Sequence, residues 1–584
     1  MRAAIRQLAM RYPGLRRLSS WGPGRWISRR LMPMPPPPPG YARFRSERPT
    51  ARRDRYPATL APGLLSFITT VWNTDPAYVQ ALADSVFGQD AGTDFEWYIL
   101  DNGSSREDTI ALLARLAEHP CVRLDRVEQN LGIIGGMRYC LERARNRYVL
   151  PLDSDDVLTP DCVRIFAWHI ERHGTPALLY SDEDKLDDTV FRDPYFKPDW
   201  DPVLFVHSCY IAHLCAIDRE LALRYGAYSD PLTEGCHDWD TFMRFSREGH
   251  VPVHVPEIVY SWRMHPQSTS GNIQSKPVVY ESHTRVLNGF IAANPHPERF
   301  ELRKSELFGG TPDWRIVRRR IDPRPLVTVL MCEDPARVRA EFHSDGYPGH
   351  RTVTLPMSGG LPMLARVAQE VASAGGLVHL LWEQVSVEGG DWPWEALGLF
   401  ELFPGTVMVG GRIHSAQRRI LAAGAYFGYG GGCDTPDRDR LVGDPGYFAQ
   451  MWKPHAVSAV SSQHAVVDAA FLRDTLAALA AQRTRASLAD LGAWLGAAAR
   501  RQAATVIYTP FFAGCATADW DTRVSGAERL AFARANADLM PERALLSPCL
   551  GLDTSSAYQP VSDEQRVAHL RGLGVELAAV RPAH

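Results

Sequence analysis

The stretch NLGIIGGMRYCLERARNRYVLPLDSDD, residues 130–156, sets the fold expected for the first half of the chain. Residues 135–147 have helical spacing, and residues 148–152 form a short apolar run typical of a buried strand. The run leads directly into four polar residues, three of which are aspartates. A helix followed by a buried strand and a polar turn predicts one repeat of an alternating α/β fold.

The same alternation extends toward the N-terminus. Short apolar runs at 64–71, 95–101 and 122–127 predict strands, and segments with helical spacing separate them. Strands that alternate with helices favour a mostly parallel sheet covered by helices on both faces. Ligands bind such sheets beyond the carboxyl ends of the strands. Asp101 and Asp153 stand at two of these ends, so the pattern predicts one site there.

Asp153, Asp155 and Asp156 place three carboxylates within four residues. Like charges at this spacing repel and raise one another's pKa, and a divalent cation relieves the repulsion. Mg²⁺ and Mn²⁺ prefer oxygen ligands and keep open positions for phosphate. The alternative is an aspartate-rich turn that caps the helix beginning near Pro160, a role that suits Asp156. The spacing alone leaves both interpretations open.

Other segments carry candidate groups for chemistry. Asn130 and Gly132 precede a helix, where unbonded amides and the helix dipole favour phosphate. Asp238 opens an amphipathic helix, either as its cap or as a general base. His265 follows a strand end that carries Arg263, a candidate phosphate partner. A lone histidine is more often structural than a ligand, so His265 alone does not predict a metal site.

Residues 64–290 resemble the catalytic domain of glycosyltransferase family 2, which has the GT-A fold. The resemblance rests, in order, on TTVWNTD (69–75), ILDNGSS (99–105), the stretch 130–156, YSDEDK (180–185), FKPDWDPVLFVHSCYIAHL (196–214), GCHDWDTFMR (235–244) and VYSWRMHPQSTS (259–270). It is most similar to the long bacterial members that build O-antigen and other surface polysaccharides. Thr70 departs from the usual Pro of the family, and Ser261 from the His that close relatives often have.

The resemblance implies a role for each matching residue. Asp101 would bind the nucleobase, Asp153 the ribose and Asp155 the metal on the donor diphosphate. His265 would complete the metal or diphosphate site, and Asp238 would take the proton from the acceptor hydroxyl. The implied set is Thr70, Asp101, Asn102, Asn130, Gly132, Asp153 and Arg263 for the nucleotide donor, Asp155 and His265 for the metal, Asp238 as the base, and Asp182, Glu183, Asp184, His237 and Trp239 for the acceptor or donor-sugar side.

The activity implied by the resemblance is that of an inverting glycosyltransferase using Mn²⁺ or Mg²⁺. The donor would be a nucleotide-diphosphate sugar of the UDP or dTDP type, and the acceptor a glycan or lipid-linked glycan. Three alternatives stay open: a non-catalytic sugar-nucleotide-binding scaffold, a sugar nucleotidyltransferase and a membrane-adsorbed structural protein. The nucleotidyltransferase is disfavoured, because TTVWNTD replaces the Gly-rich, Arg-bearing loop that it would need after the first strand.

The second half resembles a degenerate copy of the same domain. The predicted parts are a basic arm (1–60), a catalytic domain (61–300), a connector (301–324) and a second GT-A-like α/β domain (325–584). Glu383 and Gln384 stand where an Asn-Asp pair is expected, and Gly492 replaces the second acid after Asp490. We therefore expect a non-catalytic domain that serves acceptor binding, dimer contacts or interdomain packing. An unrelated α/β domain is the alternative.

The composition is that of a folded protein with one unusual segment. The chain has 584 residues, 45% hydrophobic and 22% charged, and its net charge of −3 gives no reason to expect nucleic-acid binding. No apolar stretch reaches the roughly 18 residues of a membrane-spanning helix.

Residues 1–57 hold 14 Arg and two acidic residues, a local charge of +12. This arm predicts either contact with an anionic membrane or a solvated tail, with the folded part starting near Pro62. The expected location is cytoplasmic or peripheral on the inner face of the plasma membrane, and a homo-oligomer stays open.

Overall fold

The computed structural model describes residues 37–57, 61–92, 94–265, 278–307, 313–336, 346–482, 486–517 and 524–577. These residues divide into two compact units. The first contains the described residues up to Lys197, together with Ile211–Ala293 and Leu302–Arg315. The second contains Pro198–Tyr210, Asn294–Glu301 and the chain from Ile316 onward. Residues 198–210 thus lie within the predicted catalytic domain in sequence but belong to the second unit in space.

The elements of the first half begin with helix α1 (Tyr41–Arg53), which precedes the first strand. The strands are β1 (Leu65–Val71), β2 (Glu96–Asn102), β3 (Val122–Val127), β4 (Tyr148–Pro151), β5 (Val157–Leu158), β6 (Leu178–Asp187), β7 (Val190–Tyr195), β8 (Cys215–Asp218) and β9 (Val253–Arg263). The remaining helices are α2 (Pro76–Phe87), α3 (Glu107–Leu116), α4 (Gly132–Arg143), α5 (Cys162–Arg172), α6 (Pro202–His207), α7 (Arg219–Arg224), α8 (His237–Arg247) and α9 (Val278–Ala292).

The strands of the first unit form one mixed sheet in the order β3-β2-β1-β4-β8-β6-β9-β5, with β7 beside β6. Strands β1 to β4 run parallel, as their alternation with helices predicts. Strand β8 is antiparallel to both of its neighbours, β4 and β6. The predicted α/β sheet flanked by helices is confirmed. Because β1, β2 and β4 are parallel, their carboxyl ends meet at one edge of the sheet.

The core of this unit forms where apolar strand and helix side chains meet. Phe67, Trp97 and Leu150 are fully buried on β1, β2 and β4. Helix α2 packs against them through residues at helical spacing, including Val79 and Leu82. The helices thereby cover the sheet and leave its carboxyl edge to the polar turns.

Helix α1 lies in the segment that the sequence predicts as a solvated arm, so the expected folded start near Pro62 is wrong. Arg48 and Arg52 both contact the buried Glu257 on β9, each through Nε at 2.9 Å. Burial alone would raise the pKa of Glu257, but the two guanidinium groups outweigh it and lower that pKa to about 2. The remainder of the predicted membrane-contacting arm, residues 1–36, lies outside the described residues. Among the described helices, none has the length and apolarity needed to cross a bilayer.

The second half begins with two paired strands, β10 (Phe300–Lys304) and β11 (Trp314–Arg318). The strands that follow are β12 (Leu326–Cys332), β13 (His350–Pro356), β14 (Leu377–Trp382), β15 (Val385–Glu388), β16 (Thr406–His414), β17 (Ile420–Ala422), β18 (Tyr426–Phe427), β19 (Cys433–Asp434), β20 (His455–Ala456), β21 (His464–Asp468) and β22 (Thr505–Ala516). The helices are α10 (Gly360–Ser373), α11 (Trp392–Leu402), α12 (Ala469–Ala481), α13 (Leu491–Arg501), α14 (Gly526–Ala535) and α15 (Asp563–Gly572).

The sheet of the second unit repeats the strand order of the first. Its order is β13-β12-β14-β21-β16-β22-β15, with β17 beside β16. This matches β2-β1-β4-β8-β6-β9-β5, with β7 beside β6, strand for strand. The directions agree as well: β21 is antiparallel to both neighbours, and β16 and β22 are parallel. The predicted second α/β domain is confirmed, and in the described residues its sheet has no counterpart of β3.

A chain of polar groups crosses this second sheet. Thr328 Oγ1 lies 2.8 Å from His350 Nε2 and 3.0 Å from His379 Nδ1. His379 Nε2 in turn lies 3.1 Å from His464 Nδ1, and both of these residues are buried. Burial lowers the pKa of His464 to about 3. Burial, helped by His464, also holds the pKa of His379 well below its usual value. Both imidazoles are therefore neutral in the folded protein.

We expect the second unit to lose stability as the pH falls below about 6.5. Unfolded histidine binds a proton near pH 6.5, whereas His464 in the folded protein does so only near pH 3. The free energy of unfolding should drop by about 1.4 kcal/mol per pH unit for each such imidazole within this window. Urea unfolding at pH 7.5 and 5.5 measures the drop, which should be smaller for His464→Gln, since glutamine does not titrate. Equal drops in both proteins would contradict the prediction.

Candidate active site

The acidic turn after β4 holds three carboxylates whose oxygens lie within 4.8 Å of one another, from Asp153, Asp155 and Asp156. Asp156 is fully buried and accepts hydrogen bonds from the Tyr260 hydroxyl and from the Arg263 backbone amide. Burial, followed by repulsion from the other two aspartates, raises its pKa well above the usual range. Asp156 therefore anchors the turn to β9, and Asp153 and Asp155 are left to face a ligand.

His265 meets Asp155 just beyond the end of β9. Its Nε2 lies 2.6 Å from Asp155 Oδ2. Arg263 donates from Nε to the backbone carbonyl of Asp155 at 2.6 Å. The ring of Tyr78 lies 5.1 Å from the imidazole of His265 and 5.0 Å from the Arg263 guanidinium. The structure thus brings the two predicted metal ligands, Asp155 and His265, into contact. Arg263 and Tyr78 pack against them.

Asp153 connects this turn to the start of α8. The Asp153 side chain is 58% exposed, yet desolvation by the surrounding protein raises its pKa; His213 opposes the rise, and Asp155 and Asp238 add to it. Asp238, at the first turn of α8, is therefore within electrostatic reach of the acidic turn. Its Oδ1 accepts a hydrogen bond from the Tyr228 hydroxyl at 3.3 Å, and its Oδ2 lies 3.6 Å from His237 Nε2. The predicted general base therefore lies close enough to Asp153 for their charges to interact.

The residue predicted to bind the nucleobase, Asp101, lies on β2, which is separated from β4 by β1. Asp101 ends β2, is almost fully buried, and accepts a hydrogen bond from the Ser104 amide at 2.9 Å. Arg126 Nη1 lies 3.4 Å from its other oxygen. Thr70 sits at the end of β1 in register with Leu100, one residue before Asp101. These contacts fix the Asp101 carboxylate at the same edge of the sheet as the acidic turn, two strands away from it.

The turn before α4 differs from the prediction. The amides expected to be unbonded are already occupied: Leu131 N donates to Asn102 Oδ1, Gly132 N to Asn130 Oδ1 and Ile133 N to Glu234 Oε1. The expectation of free amides for phosphate at this helix start is therefore wrong. The asparagines instead stabilise the turn, with Asn102 Nδ2 donating to Asn130 Oδ1 at 3.1 Å.

Three residues predicted for the acceptor or donor-sugar side are enclosed by protein, so that prediction needs correction. Asp182 is fully buried, with His254 Nε2 2.9 Å from its carboxylate. Asp184 is fully buried and bonded to Arg45 of α1 at 2.7 Å. Trp239 is 5% exposed. The near-continuous burial of β6 places both aspartates inside the protein, away from solvent.

Glu183 plays a different part, because it holds a residue that the sequence reasoning missed. Its Oε2 accepts a hydrogen bond from the His213 amide at 2.7 Å and lies 3.3 Å from Lys197 Nζ. Lys197 is fully buried and donates to the His213 carbonyl at 2.7 Å. The imidazole thus held stacks on Tyr260 and reaches Asp153 with its Nε2 at 3.9 Å. A buried ion pair fixes the backbone of His213 beside the acidic turn.

We expect Lys197→Met to destabilise the protein by about 3–5 kcal/mol, the usual cost of leaving one member of a buried ion pair unpaired. The substitution removes the partner of Glu183, which is itself almost buried. Urea unfolding measures the loss. In the double variant Lys197→Met/Glu183→Gln the loss should be smaller than the sum of the two single losses. Additive losses would show that the two side chains do not act as a pair.

The group around the acidic turn fits a hard divalent cation. Carboxylate oxygens suit Mg²⁺ and Mn²⁺, and a neutral imidazole nitrogen is a common ligand of protein-bound metals. Asp155 and His265 offer these atoms side by side, with Asp153 next to them. Asp156 is taken up by Tyr260 and Arg263, so it is not counted among the ligands.

Comparison with known proteins supports the resemblance inferred from the sequence. Residues 66–224 match the family model described as "Glycosyl transferase family 2". The matched range includes Asp101, Asp153 and Asp155, whereas Asp238 and His265 follow it. The predicted resemblance to this family is confirmed over residues 66–224.

Three curated relatives are similar to parts of the chain. "Uncharacterized protein y4gI" of Sinorhizobium fredii is 28% identical over 69% of this chain and 48% of its own length. "O-antigen biosynthesis protein RfbC" of Myxococcus xanthus is 25% identical over 51% of this chain and 23% of its own. "Putative colanic acid biosynthesis glycosyl transferase WcaA" of Escherichia coli is 22% identical over 47% of this chain and 96% of its own. The chain thus spans about half the length of the first relative and about a quarter of the second.

Proposed function

We propose that the first unit is an inverting glycosyltransferase that moves a sugar from a nucleotide-diphosphate donor to a glycan acceptor. The observation that carries the proposal is the contact between Asp155 and His265 next to Asp153, with Asp238 within electrostatic reach of Asp153. The family match over residues 66–224 supports the reaction class. The names of the RfbC and WcaA relatives support a role in surface-polysaccharide biosynthesis.

On this proposal the residues beyond β2 and β4 hold the donor. Asp101 pairs with the nucleobase, Asp153 binds the ribose, and Asp155 and His265 hold the cation. Mn²⁺ or Mg²⁺, when bound, supplies positive charge against the negative charge that develops on the departing diphosphate. Arg263, fixed on the Asp155 carbonyl, adds a cationic group on the same side.

Asp238 acts on the acceptor. Its carboxylate accepts the proton of the acceptor hydroxyl, and the freed oxygen attacks the anomeric carbon of the donor. The new carbon–oxygen bond forms as the bond to the diphosphate breaks, with the electron pair leaving on the phosphate oxygen. Attack opposite the leaving group inverts the anomeric carbon. The Tyr228 hydroxyl, 3.3 Å from Asp238, orients the carboxylate for this transfer.

We also infer a division of labour along the chain. The chain from helix α1 to residue 300, apart from residues 198–210, would be the catalytic domain, residues 301–324 a connector and residues 325–584 a non-catalytic copy. In that copy Glu383 Oε1 accepts the Glu333 amide at 2.8 Å, which supports a structural role at the position of the acidic turn. The acceptor would be a glycan or lipid-linked glycan at the cytoplasmic face of the membrane, with the basic residues 1–36 as the contact to anionic lipid.

The test is a screen of UDP- and dTDP-sugars for release of free nucleoside diphosphate by the full chain. We expect release from at least one donor with Mn²⁺ or Mg²⁺, and no release when a chelator replaces the cation. Binding of a donor without release in the presence of candidate acceptors would point to a sugar-nucleotide-binding scaffold instead. Equal release with the chelator would contradict the assigned cation site.

A further inference from the structure

His213 has a ring nitrogen that faces the candidate site without making a hydrogen bond to it. Its Nε2 lies 3.9 Å from Asp153 Oδ2, which is longer than a hydrogen bond. The side chain of His213 is 21% exposed and that of Asp153 is 58% exposed, so a ligand can reach both. An imidazole nitrogen and a carboxylate oxygen therefore face each other across an open gap.

The hydrogen of the imidazole belongs on Nε2. In the part of the chain that the structure describes, Nδ1 is buried and has no hydrogen-bond partner, so a hydrogen there would be left unpaired. A hydrogen on Nε2 faces the negative Asp153 carboxylate instead. The protonated ring also carries a hydrogen on Nε2. His213 thus presents an N–H group to the site in either protonation state.

Contacts on the backbone and on the ring face hold His213 in this orientation. Its amide donates to Glu183 and its carbonyl accepts from Lys197, each at 2.7 Å. Its ring lies 5.5 Å from that of Tyr260, at an interplanar angle of 12°, and 5.8 Å from that of Trp262. A donor that is fixed before the ligand arrives loses little conformational entropy on binding.

The gap between His213 and Asp153 suits a hydroxyl group. A hydroxyl can donate one hydrogen bond and accept another. It would accept from His213 Nε2 and donate to Asp153 Oδ2, and both protein groups would then be satisfied. A phosphate oxygen would meet the negative charge of Asp153 and be repelled. The two facing groups therefore favour a sugar hydroxyl over the diphosphate.

The order of the strands indicates which sugar of the donor lies here. On the proposed function, Asp101 on β2 binds the nucleobase, and Asp155 beyond β4 holds the cation on the diphosphate. Strand β8 lies on the side of β4 away from β2, and His213 precedes β8 by two residues. The part of the donor beyond the diphosphate is the transferred sugar. His213 is therefore on the side of the site where that sugar belongs.

The proposed general base acts on the same strand. Burial raises the pKa of the Cys215 thiol at the start of β8, Lys197 opposes the rise, and Asp238 adds to it. Asp238 is also within electrostatic reach of Asp153. Since the base must approach the anomeric carbon, its nearness to β8 supports a sugar position beside His213.

We propose that His213 is a specificity-determining residue, which donates a hydrogen bond from Nε2 to a hydroxyl of the transferred sugar while Asp153 accepts from the same hydroxyl. The inference rests on the proposed function and adds to it a protein group that recognises the sugar. The other carboxylate oxygen of Asp153 is left for the ribose. A sugar with a free hydroxyl at this place is favoured over one that lacks it.

The experiment measures, by titration calorimetry with Mn²⁺, the Kd of the full chain for two nucleoside diphosphates and four of their sugars. The probes are UDP, dTDP, UDP-glucose, UDP-galactose, UDP-N-acetylglucosamine and dTDP-glucose. His213→Phe keeps an aromatic ring against Tyr260 but has no N–H. We expect it to weaken binding of the tightest nucleotide sugar about three- to tenfold, the range for one hydrogen bond, and to leave the Kd of the nucleoside diphosphate unchanged.

Two further variants test whether the N–H group is responsible. His213→Gln brings a side-chain amide N–H to about the place of the imidazole Nε2, so most of the affinity for the nucleotide sugar should return. His173→Phe makes the same change at an exposed position after α5, away from the acidic turn, and should bind every probe as the unsubstituted protein does. Thermal unfolding checks that each variant is folded.

Four results would overturn the proposal. Equal weakening of a nucleoside diphosphate and its sugar by His213→Phe would place the contact on the ribose or the diphosphate. Unchanged affinity of His213→Phe for the nucleotide sugar would show that no contact exists. An equal loss in His213→Gln would show that the N–H group is not responsible. Binding of UDP or dTDP with none of the four sugars would leave no sugar beside His213. If no probe bound the unsubstituted protein, the proposed function would fail as well, so the two failures are distinguishable.

Discussion

An Asp155→Asn protein should lose about 10³-fold or more of its donor turnover, because a cation at the leaving diphosphate contributes several kcal/mol and each 1.4 kcal/mol is tenfold in rate. The substitution keeps the size of the side chain but removes its negative charge. It also weakens the contact to His265, whose Nε2 lies 2.6 Å from Asp155 Oδ2. The measurement is nucleoside-diphosphate release with Mn²⁺ at saturating donor.

Binding of the metal itself gives a second readout. Mn²⁺ alone should raise the thermal unfolding temperature of the unsubstituted protein, as any ligand of the folded state does. It should have much less effect on Asp155→Asn. Asp188→Asn is the matched control, since Asp188 is exposed in the turn between β6 and β7 and its φ of 57° is one that asparagine tolerates. Full turnover in Asp155→Asn, or an unchanged response to Mn²⁺, would remove Asp155 from the metal site.

The parts of the fold that the sequence predicts are those set by local pattern. Alternating apolar runs and helical segments indicate the parallel strands β1 to β4, and the structure has them. The antiparallel strand β8, inserted between β4 and β6, carries no such signal, because strand order depends on contacts distant in sequence. Helix α1 was missed for the same reason: its arginines are paired with Glu257 and Asp184, far along the chain.

In the candidate site, too, the residues set by local sequence pattern were predictable, and those set by contacts distant in sequence were not. Asp101 stands at the end of β2 and the acidic turn follows β4, so their place at the carboxyl edge was predictable from the parallel arrangement. Asp182 and Asp184 looked equally suitable in sequence, yet β6 is buried along nearly its whole length and Arg45 covers Asp184. His213 lies in an irregular segment, and nothing local shows that Glu183 and Lys197 will hold it beside Asp153. The phrase around it, IAHL at 211–214, was the available signal.

An Asp238→Asn protein should turn over about 10²- to 10⁴-fold more slowly, the range that a positioned general base contributes. The asparagine side chain cannot take the proton of the acceptor hydroxyl. Its size is close to that of aspartate, and its oxygen can still accept the hydrogen bond from Tyr228. The protein should therefore fold normally and bind donor and Mn²⁺ as before. Transfer to acceptor, measured under single-turnover conditions, isolates the step that depends on the base.

Matched substitutions separate a base from a mere helix cap at this position. Asp238 lies in the first turn of α8, where any acidic side chain favours the helix dipole, so loss of stability is one expected effect of removing its charge. Glu248→Gln, an exposed change at the other end of α8, controls for charge alone and should leave transfer intact. A cap that is not a base would lower the unfolding temperature without slowing transfer. A base would slow transfer at temperatures where the variant is fully folded, and with donor affinity unchanged the loss would fall on kcat. If folded Asp238→Asn kept full transfer activity, a different group would have to act as the general base. Asp238 would then have only a structural role at the helix start.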